Sequence, residues 1–451
     1  MIAVELLLPS SVLSAILFSG TVLRGGGIIL HHFEYRDGEM YCEDVRLAEI
    51  AQRFGTPCYV YSAATLTRHF EAFDTPFSDL HHLTCFSVKA CSNIAILRLF
   101  ANRGGGFDVV SGGELFRVLK AGGDPAKVVY SGVGKTEAEI AYALQSGILM
   151  FNVESAAELT AIERVAEREK KTARVSLRVN PEVDPHTHPY IATGLKEAKF
   201  GIDVERSLEL YVRAKGMERI EPVGVDCHIG SQLTQTAPFV EALVRLTELI
   251  GALRQHGLKI SWLDLGGGLG ITYRDERPPL PKEYAQEILA AVRSLDVSLI
   301  LEPGRVIVGN AAVLLTRALY VKDTDEKRFL IIDAAMNDCI RPSLYGAYHE
   351  ILPVREADPK SETSAVDVVG PICESGDFLA KNRPLPPIAA GELIATMSAG
   401  AYCASMASNY NSRPRAPEVL VSGKDAHLIR ERESWDDLVA RERVPDFLTS
   451  A

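Results

Sequence analysis

The sequence contains no run of basic residues and no closely paired cysteines, and both absences narrow the classes of protein to which it could belong. Its 451 residues include 48 Lys and Arg against 59 Asp and Glu, which gives a formal net charge of −11. Without a basic segment, a surface for nucleic acid or for an anionic membrane is not expected. The eight cysteines form no CxxC pair, which argues against a zinc ribbon, and scattered single cysteines are typical of a reduced, cytoplasmic protein.

A long uninterrupted apolar segment is also missing. The N-terminal stretch MIAVELLLPSSVLSAILFSGTVL is apolar, but Pro9 interrupts it, Glu5 lies inside it and no basic residue precedes it. A signal peptide begins with a basic region, and a membrane span needs about 20 apolar residues without such breaks. Neither is expected here, and we interpret residues 1–30 as an extension that precedes the first domain-like sequence.

Short apolar runs alternate with helical patterns over most of the remaining chain. Between the runs, apolar residues recur every three or four positions and glycine often follows, as in amphipathic helices. Eight β/α units predict a (β/α)8 barrel. An open doubly wound sheet is the alternative, but it would require a glycine fingerprint after its first strand, and CFSVKACSN contains none. The eight candidate strands lie at 83–89, 106–111, 127–132, 149–155, 174–180, 222–231, 260–268 and 298–305.

The pattern changes after residue 310 to strand-like runs separated by Gly and Pro turns, with little helix. This change predicts an all-β domain at 311–451. The strand-like CYVYS at 58–62 precedes the barrel, so residues 31–62 are expected to join the β domain and residues 63–310 to form the barrel. Within the barrel, SGGE at 111–114 has the spacing of a capping box that would begin the second helix.

Several of the predicted strands end on residues that are useful in catalysis. Because catalytic groups lie at the C-terminal ends of the strands in a (β/α)8 barrel, these residues are expected to converge at one mouth. Each of them has an ordinary structural explanation when taken alone, since a lysine can extend to solvent and GGG is commonly a turn. The set consists of Lys89 on the first strand, Asp108 on the second, His228 and Ser231 on the sixth, Gly266, Gly267 and Gly268 on the seventh, and Glu302 and Arg305 on the eighth.

These residue types fit a cofactor that carries an aldehyde and a phosphate. The amine of Lys89 can hold an aldehyde covalently. Glycine-rich backbone can close on a phosphate, and barrels often bind phosphate after strands seven and eight. Glu302 could pair with a pyridinium nitrogen, and His228 could cover one face of a flat ring. A dinucleotide is not expected, because Ile271 stands where GxGxxG requires its last glycine.

Eight motifs occur in a fixed order, namely FSVKAC.N, FDVVSGGEL, HIGSQ, DLGGGLGI, EPGR, NDCIRPSLYGAYHEI, GPICESGD and GAY. With them the chain, from about residue 31 to the C-terminus, resembles the fold-type III decarboxylases that use pyridoxal 5′-phosphate. These are the ornithine, diaminopimelate and arginine decarboxylases, and the resemblance is greatest to members that act on diaminopimelate. It implies an alanine racemase-like barrel with a C-terminal β-barrel domain, and a homodimer with shared active sites. The implied reaction converts meso-2,6-diaminopimelate to L-lysine and carbon dioxide, the last step of lysine biosynthesis.

The resemblance also implies roles for the matching residues. Lys89 would hold the cofactor covalently, and His228 would stack on its ring. Cys373 would return a proton after carbon dioxide leaves, and Cys373 and Glu374 would reach the cofactor of the partner subunit. Further cofactor contacts would come from Asp108, Ser231, Gly266, Gly267, Gly268, Glu302, Pro303, Gly304, Arg305 and Tyr402. Substrate contacts would come from Arg305, Arg341, Tyr345, Glu374 and Tyr402.

Two other hypotheses stay open beside this one: a decarboxylase of ornithine or carboxynorspermidine, and a non-catalytic protein of the same fold that binds the cofactor. The distal carboxylate of diaminopimelate would bind a guanidinium and its distal ammonium a carboxylate, which Arg341 and Glu374 supply. An ornithine decarboxylase typically has Asp where this chain has the Glu of CES. A non-catalytic protein would be expected to lack Lys89 or Cys373, and both are present. No metal is expected at DPHTHP, 184–189, because its two His have no third ligand at plausible spacing.

Overall fold

The structure is a computed structural model that describes residues 23–24, 27–28, 31–184 and 199–449. The chain forms two compact units: one contains Thr65–Val308, and the other contains His32–Ala64 together with the residues from Gly309 onwards. Most of the predicted extension and nearly all of the DPHTHP segment lie outside the described residues. Leu23–Arg24 (β1) and Gly27–Ile28 (β2) form a short antiparallel pair.

The second unit begins with a small antiparallel sheet, whose strands alternate buried apolar side chains with more exposed polar ones. Met40 and Cys42 are buried, for example, while Glu39 and Tyr41 are partly exposed. This alternation is what an antiparallel strand with one buried face requires. The elements are Phe33–Arg36 (β3), Glu39–Cys42 (β4), Val45–Arg46 (β5), the helix Leu47–Phe54 (α1) and Cys58–Ser62 (β6).

The first unit is a closed barrel of eight parallel strands, which confirms the predicted (β/α)8 barrel. Each strand pairs with the next, and the last pairs with the first to close the barrel. Most strand residues are buried on both faces, so the strands are nearly continuous apolar runs. The strands are His82–Ser87 (β7), Gly106–Val109 (β8), Val128–Tyr130 (β9), Met150–Val153 (β10), Ala173–Asn180 (β11), Ile220–Asp226 (β13), Trp262–Asp264 (β14) and Ser298–Leu301 (β15); a short strand Ile202–Asp203 (β12) adds to β11.

Seven of the eight strands end earlier than predicted, and after four of them candidate site residues lie in the loops that follow. β7 ends at Ser87, and Lys89 lies in a 3-10 turn at Val88–Ala90. β13, β14 and β15 likewise end before His228, the three glycines and Glu302. Groups of these loops bond to each other; for example, Glu302 N–H donates to the Gly266 carbonyl at 2.8 Å, and Gly267 N–H donates to the imidazole of His228.

Helices follow or precede the barrel strands around the unit, and several begin at a side-chain cap. The capping box predicted at Ser111 and Glu114 is only half formed. Ser111 Oγ accepts the Glu114 N–H at 3.2 Å, but the Glu114 carboxylate accepts the Val110 N–H at 2.7 Å, because Val110 lies just beyond the end of β8. The helices are Ala63–Asp74 (α2), Ile94–Ala101 (α3), Gly112–Lys120 (α4), Glu137–Ser146 (α5), Ala156–Glu169 (α6), Val204–Lys215 (α7), Ala237–Gln255 (α8), Pro281–Val292 (α9) and Arg305–Val308 (α10).

The remainder of the second unit is a separate β-sheet domain, as the composition after residue 310 predicts. Its nine-stranded sheet includes β6, which pairs antiparallel with β16 and parallel with β22. Val60, Val313 and Val419 from these three strands are fully buried in one apolar core. The strands are Ala312–Asp323 (β16), Arg328–Ile332 (β17), Ile351–Pro353 (β18), Ser364–Val369 (β19), Phe378–Leu385 (β20), Leu393–Thr396 (β21), Glu418–Ser422 (β22) and Asp425–Arg430 (β23), and the helices are Arg341–Tyr345 (α11) and Trp435–Val439 (α12).

No described helix combines the length and the apolar character that are needed to cross a lipid bilayer.

Candidate active site

Lys89 and Asp108 form an ion pair at the C-terminal ends of the first two barrel strands. The Lys89 ammonium contacts Asp108 Oδ2, which also accepts the Ser87 hydroxyl at 3.0 Å. Asp108 is fully buried, whereas the Lys89 side chain remains 34% exposed. The second carboxylate oxygen of Asp108, Oδ1, is buried and has no hydrogen-bond partner among the described residues. The lysine amine is therefore held in place by one carboxylate while part of it stays accessible to a ligand.

His228 is a neutral imidazole in the loop after β13. Its Nδ1 accepts the Gly267 N–H at 3.0 Å, which places the ring proton on Nε2. Desolvation by the surrounding protein, followed by the positive charges of Arg178 and Lys89, lowers the pKa of His228 well below its usual range. An uncharged flat ring is suited to lie against another ring, and it adds no positive charge beside the amine of Lys89.

Arg178 on β11 is a residue of this region that the sequence analysis did not single out. Its guanidinium is buried, pairs with Glu154 at 2.9 Å and donates to the carbonyl of His228 at 3.4 Å. The other Glu154 oxygen accepts the Gly201 N–H at 2.8 Å. An arginine placed between the buried Leu177 and Val179 of a barrel strand is the signal that could have identified it, since such a residue is seldom buried unless it is paired.

The three glycines after β14 form a loop in which neighbouring backbone leaves no room for a side chain. A Cβ at Gly267 would lie 2.2 Å from the Glu302 carbonyl oxygen, and one at Gly268 would lie 2.5 Å from the Gly230 carbonyl oxygen. Gly268 also has φ +121°, which side chains rarely tolerate. Two of the glycine amides are used to fix the loop, because Gly266 N–H donates to Asp264 Oδ1 at 2.9 Å and Gly267 N–H donates to His228 Nδ1 at 3.0 Å.

Arg305 is at the start of α10, and its guanidinium is tied to two hydroxyl groups. Nη2 donates to Ser231 Oγ at 2.9 Å, and Nη1 donates to Tyr273 Oη at 2.8 Å. Pro303 and Gly304 make the turn between β15 and this helix, and the Pro303 carbonyl accepts the Ser87 N–H at 3.0 Å. A guanidinium and a serine hydroxyl are thus joined on the eighth and sixth loops, and both are groups that phosphate prefers.

Glu302 belongs to a cluster of buried carboxylates at the end of the barrel. Oxygens of Asp226, Asp264 and Glu302 lie within 4.8 Å of one another. Asn152 on β10 joins two of them, because its amide donates to Asp264 at 3.1 Å and to Glu302 at 3.3 Å. Ser131 Oγ is a further donor to Glu302 at 3.4 Å.

This cluster cannot carry its full negative charge. Burial, followed by the charges of the neighbouring carboxylates Asp108 and Asp264, raises the pKa of Glu302 well above its usual range, and the pKa values of Asp226 and Asp264 are raised for the same kinds of reason. Carboxylates in this state attract a cation or a proton strongly. A protonated ring nitrogen placed against Glu302 would satisfy that demand.

The remaining predicted residues lie in the second unit. Arg341 and Tyr345 are the first and last residues of the short helix α11, and the guanidinium of Arg341 is buried. Cys373 is exposed; its N–H donates to Asn411 Oδ1 at 2.8 Å. Glu374 beside it accepts the Tyr410 hydroxyl at 3.2 Å. The second unit thus carries an exposed thiol next to a carboxylate in the chain, and a buried guanidinium on the same short helix as a tyrosine.

Tyr402 has an unusual backbone conformation. Its φ of +57° lies in the left-handed region, which non-glycine residues rarely adopt. Backbone bonds on its N-terminal side, from Ala399 N–H to the Ala312 carbonyl and from Gly400 N–H to the Gly309 carbonyl, hold this loop in place. Residues held in such conformations often belong to ligand-binding sites.

The donor set in the barrel unit fits a cofactor with an aldehyde, a phosphate and a basic ring nitrogen. Lys89 supplies an amine, Ser231 and Arg305 supply a hydroxyl and a guanidinium that suit a phosphate, and the Glu302 cluster requires positive charge. Such a set defines an enzyme of the pyridoxal phosphate class.

Comparison with known proteins identifies the family. Residues 63–309 match the family model described as the pyridoxal-binding domain of pyridoxal-dependent decarboxylases. The chain belongs to this family of decarboxylases.

Within the family, the chain is similar to diaminopimelate decarboxylases. It is 53% identical to that of Pseudomonas aeruginosa over 412 residues, which cover 91% of this chain and 99% of the relative. The crystal structure of the Helicobacter pylori enzyme in complex with L-lysine matches with a TM-score of 0.84 and 44% identity, covering 88% of this chain and 99% of that one. The M. jannaschii enzyme, also with L-lysine, matches with a TM-score of 0.88 and 38% identity, covering 93% and 99%.

Proposed function

We propose that the protein removes one carboxyl group from meso-2,6-diaminopimelate and releases L-lysine and carbon dioxide, with pyridoxal phosphate as its cofactor. The observation that carries this proposal is the 53% identity to a diaminopimelate decarboxylase over nine-tenths of the chain. The complexes of two similar enzymes with L-lysine support the identity of the product. When bound, pyridoxal phosphate supplies an electron sink for the negative charge that remains when carbon dioxide departs.

The barrel residues hold this cofactor in our proposal. Lys89 binds the aldehyde and is kept in position by Asp108, and His228 lies against the ring as a neutral imidazole. Glu302 binds the ring nitrogen, and its buried carboxylate keeps that nitrogen protonated. The phosphate is bound by the backbone around Gly266, Gly267, Gly268, Pro303 and Gly304, by the side chains of Ser231 and Arg305, and by Tyr402.

The substrate carries a second amino-acid group, which is not decarboxylated and must be recognised. Its carboxylate requires a fork of donors, which the guanidinium of Arg341 provides, and its ammonium requires a carboxylate, which Glu374 provides. Arg305, Tyr345 and Tyr402 complete the substrate contacts. A substrate without the distal carboxylate, such as ornithine, would leave the buried Arg341 without its anion, and this mismatch opposes its binding.

Cys373 is the acid that returns a proton to the reacting carbon. Its thiol is exposed in the single chain, and exposure leaves it accessible to a ligand or to another subunit. We propose that Cys373 and Glu374 serve the cofactor of the partner subunit in a homodimer, so that each active site draws on both chains. The proposed location is the cytoplasm, because single cysteines without CxxC spacing are typical of a reduced compartment.

The test compares the possible substrates directly. The purified holoenzyme is incubated with meso-diaminopimelate and, separately, with ornithine, and the carbon dioxide and the amine product are measured. We expect one L-lysine for each carbon dioxide from diaminopimelate, no release from a Lys89→Ala control, and little release from ornithine. Preferential release from ornithine would contradict the proposed substrate, and no release from either would contradict the enzyme assignment.

A further inference from the structure

His349 is a fully buried histidine in the second unit that makes two hydrogen bonds through its ring. Nε2 lies 2.7 Å from Nη1 of Arg341, and Nδ1 lies 2.9 Å from the carbonyl oxygen of Met397. Arg341 is itself only 6% exposed, and His349 is 0% exposed. The pair is therefore shielded from water, where each hydrogen bond matters more to the conformation of the side chains.

The two partners fix the protonation state of the ring. A guanidinium can only donate, so Nε2 must accept with its lone pair, and a carbonyl can only accept, so Nδ1 must carry the proton. The ring is thus a neutral imidazole with its hydrogen on Nδ1. A doubly protonated ring would direct an N–H and a positive charge at the guanidinium of Arg341, and the contact would become repulsive.

Hydrogen bonds to the His349 backbone and to Met397 hold the imidazole of His349 in position. Met397 directly follows β21, and its N–H donates to the Glu350 carbonyl at 2.8 Å. Arg383 on β20 donates to the His349 carbonyl at 2.6 Å. The residues on both sides of the imidazole are thus anchored to two strands of the sheet, so the position of Nε2 is set by the sheet and not by the short helix that carries Arg341.

Two thiols, those of Cys339 and Cys403, also lie near the ring, with all three ligand atoms within 4.8 Å of one another. Both ring nitrogens are already engaged, however, and the guanidinium of Arg341 would face any cation bound there. The arrangement therefore suits an imidazole that orients an arginine better than it suits a metal site.

We infer that His349 is a positioning residue that aims Arg341 at the distal carboxylate of the substrate and the product. The inference deepens the proposed function and rests on it, because that function gives Arg341 its ligand. A guanidinium held at one nitrogen by a fixed acceptor is prevented from turning away from the carboxylate that it binds. His349 would then determine how strongly the enzyme prefers an amino acid to the amine that lacks its carboxylate.

Two substitutions test the two hydrogen bonds of the imidazole one at a time. His349→Gln keeps an acceptor near the place of Nε2 and can still hold Arg341. His349→Asn keeps a donor near the place of Nδ1, for the Met397 carbonyl, but it is too short to reach the guanidinium. The probes are L-lysine, which carries the carboxylate that Arg341 binds, and cadaverine, which is lysine without that carboxylate. Their dissociation constants for the holoenzyme are measured by isothermal titration calorimetry.

We expect His349→Asn to weaken L-lysine binding by roughly tenfold to a hundredfold, as the loss of a buried hydrogen bond to a charged group does. His349→Gln should stay within about threefold of wild type, and cadaverine should bind all three proteins alike. In an Arg341→Ala background, His349→Asn should cause no further loss of L-lysine affinity, because the imidazole acts only through the guanidinium. Cadaverine binding also shows that each variant is folded and loaded with cofactor.

Two results would overturn the inference. One is L-lysine affinity in His349→Asn within about twofold of wild type, and the other is an equal loss for L-lysine and cadaverine, which would indicate a general structural role. Failure of the proposed function looks different, because wild-type holoenzyme would then neither bind L-lysine nor release carbon dioxide from diaminopimelate.

Discussion

Lys135 forms a buried ion pair with Glu158 in the barrel unit, and its removal gives a prediction that depends on pH. Its side chain is 1% exposed and that of Glu158 is 7% exposed. The ammonium uses its three hydrogens on Glu158 Oε1 at 2.7 Å and on the carbonyls of Gly132 and Asn152, both at 2.8 Å. It thereby joins the loop after β9 to β10, whose Asn152 side chain donates to Glu302.

Lys135→Met keeps most of the aliphatic stem and removes the charge. At 2.7 Å the attraction between the two ions is about 6 kcal/mol for an effective dielectric constant of about 20, but the cost of desolvating both ions offsets much of it. Removing one partner leaves Glu158 buried without its cation, and such changes cost about 3–5 kcal/mol of folding free energy. We expect a loss of that size near neutral pH.

The loss of folding free energy in Lys135→Met should grow as the pH rises. Desolvation by burial, which the charge of Lys135 only partly offsets, raises the pKa of Glu158 above its usual value. Without Lys135 that pKa rises further. A carboxyl group whose pKa is raised in the folded state does not reduce the folding free energy below its unfolded-state pKa of about 4.3. Above that pH it reduces the folding free energy by about 1.4 kcal/mol for each pH unit, until the pH reaches the folded-state pKa. The variant should therefore be closest to wild type at about pH 5 and furthest from it at about pH 8.

Urea unfolding measures this loss through fluorescence. Of the two tryptophans, Trp262 lies in β14 of the barrel and Trp435 is an exposed residue of the other unit. A fixed excess of pyridoxal phosphate keeps the contribution of cofactor binding equal in all proteins. The control is Lys215→Met, since Lys215 is an exposed lysine that donates to the His256 carbonyl at 2.8 Å; its loss should change stability by less than about 0.5 kcal/mol.

The double variant Lys135→Met with Glu158→Gln provides the decisive comparison. It removes the buried charge that the single variant leaves behind, so it should recover the pH-dependent part of the loss. The reasoning is refuted if Lys135→Met loses less than about 1 kcal/mol, if its loss is the same at low and high pH, or if the double variant is no more stable than the single one.

Three further predictions concern the chemistry of the site. The purified protein should be yellow with an aldimine absorbance that Lys89→Ala alters, and borohydride should fix the cofactor of wild type on Lys89; mapping of the label to another lysine would contradict the assignment. Cys373→Ala should lower turnover by about 10²–10⁴ while cofactor absorbance is retained, and a rate within about twofold of wild type would rule out its role as the acid. Co-refolding equal amounts of the Lys89→Ala and Cys373→Ala variants should restore about a quarter of the active sites, because half of the dimers are mixed and each mixed dimer has one intact site. No recovery in mixed dimers verified by mass spectrometry would count against sites shared between subunits.

The barrel could be predicted from the sequence because its strands are buried on both faces and therefore appear as apolar runs at regular intervals. All eight predicted runs correspond to barrel strands. Their ends were less predictable, since the sequence continues without a break from the strand into a functional loop. HIGS was assigned to the sixth strand, but that strand ends at Asp226, and Gly267 N–H bonds to His228 instead of to a neighbouring strand. Only half of the capping box at Ser111 formed for a related reason, because the carboxylate of Glu114 accepts the N–H of Val110, just beyond the end of β8.

By itself, the sequence determined the fold class and the family and predicted which residues are chemically active, because periodicity and motif order are local properties of the chain. Only the tertiary structure decided which of those residues act on one another. Asn152 meets Asp264 and Glu302, which are 112 and 150 residues away, because the barrel closes and brings its fourth, seventh and eighth strands to the same end. His349 and Arg341 are eight residues apart, but their hydrogen bond depends on Met397, which fixes the tautomer of the ring. Burial then sets the charge of each group, since the cost of removing an ion from water depends on every neighbour that surrounds it.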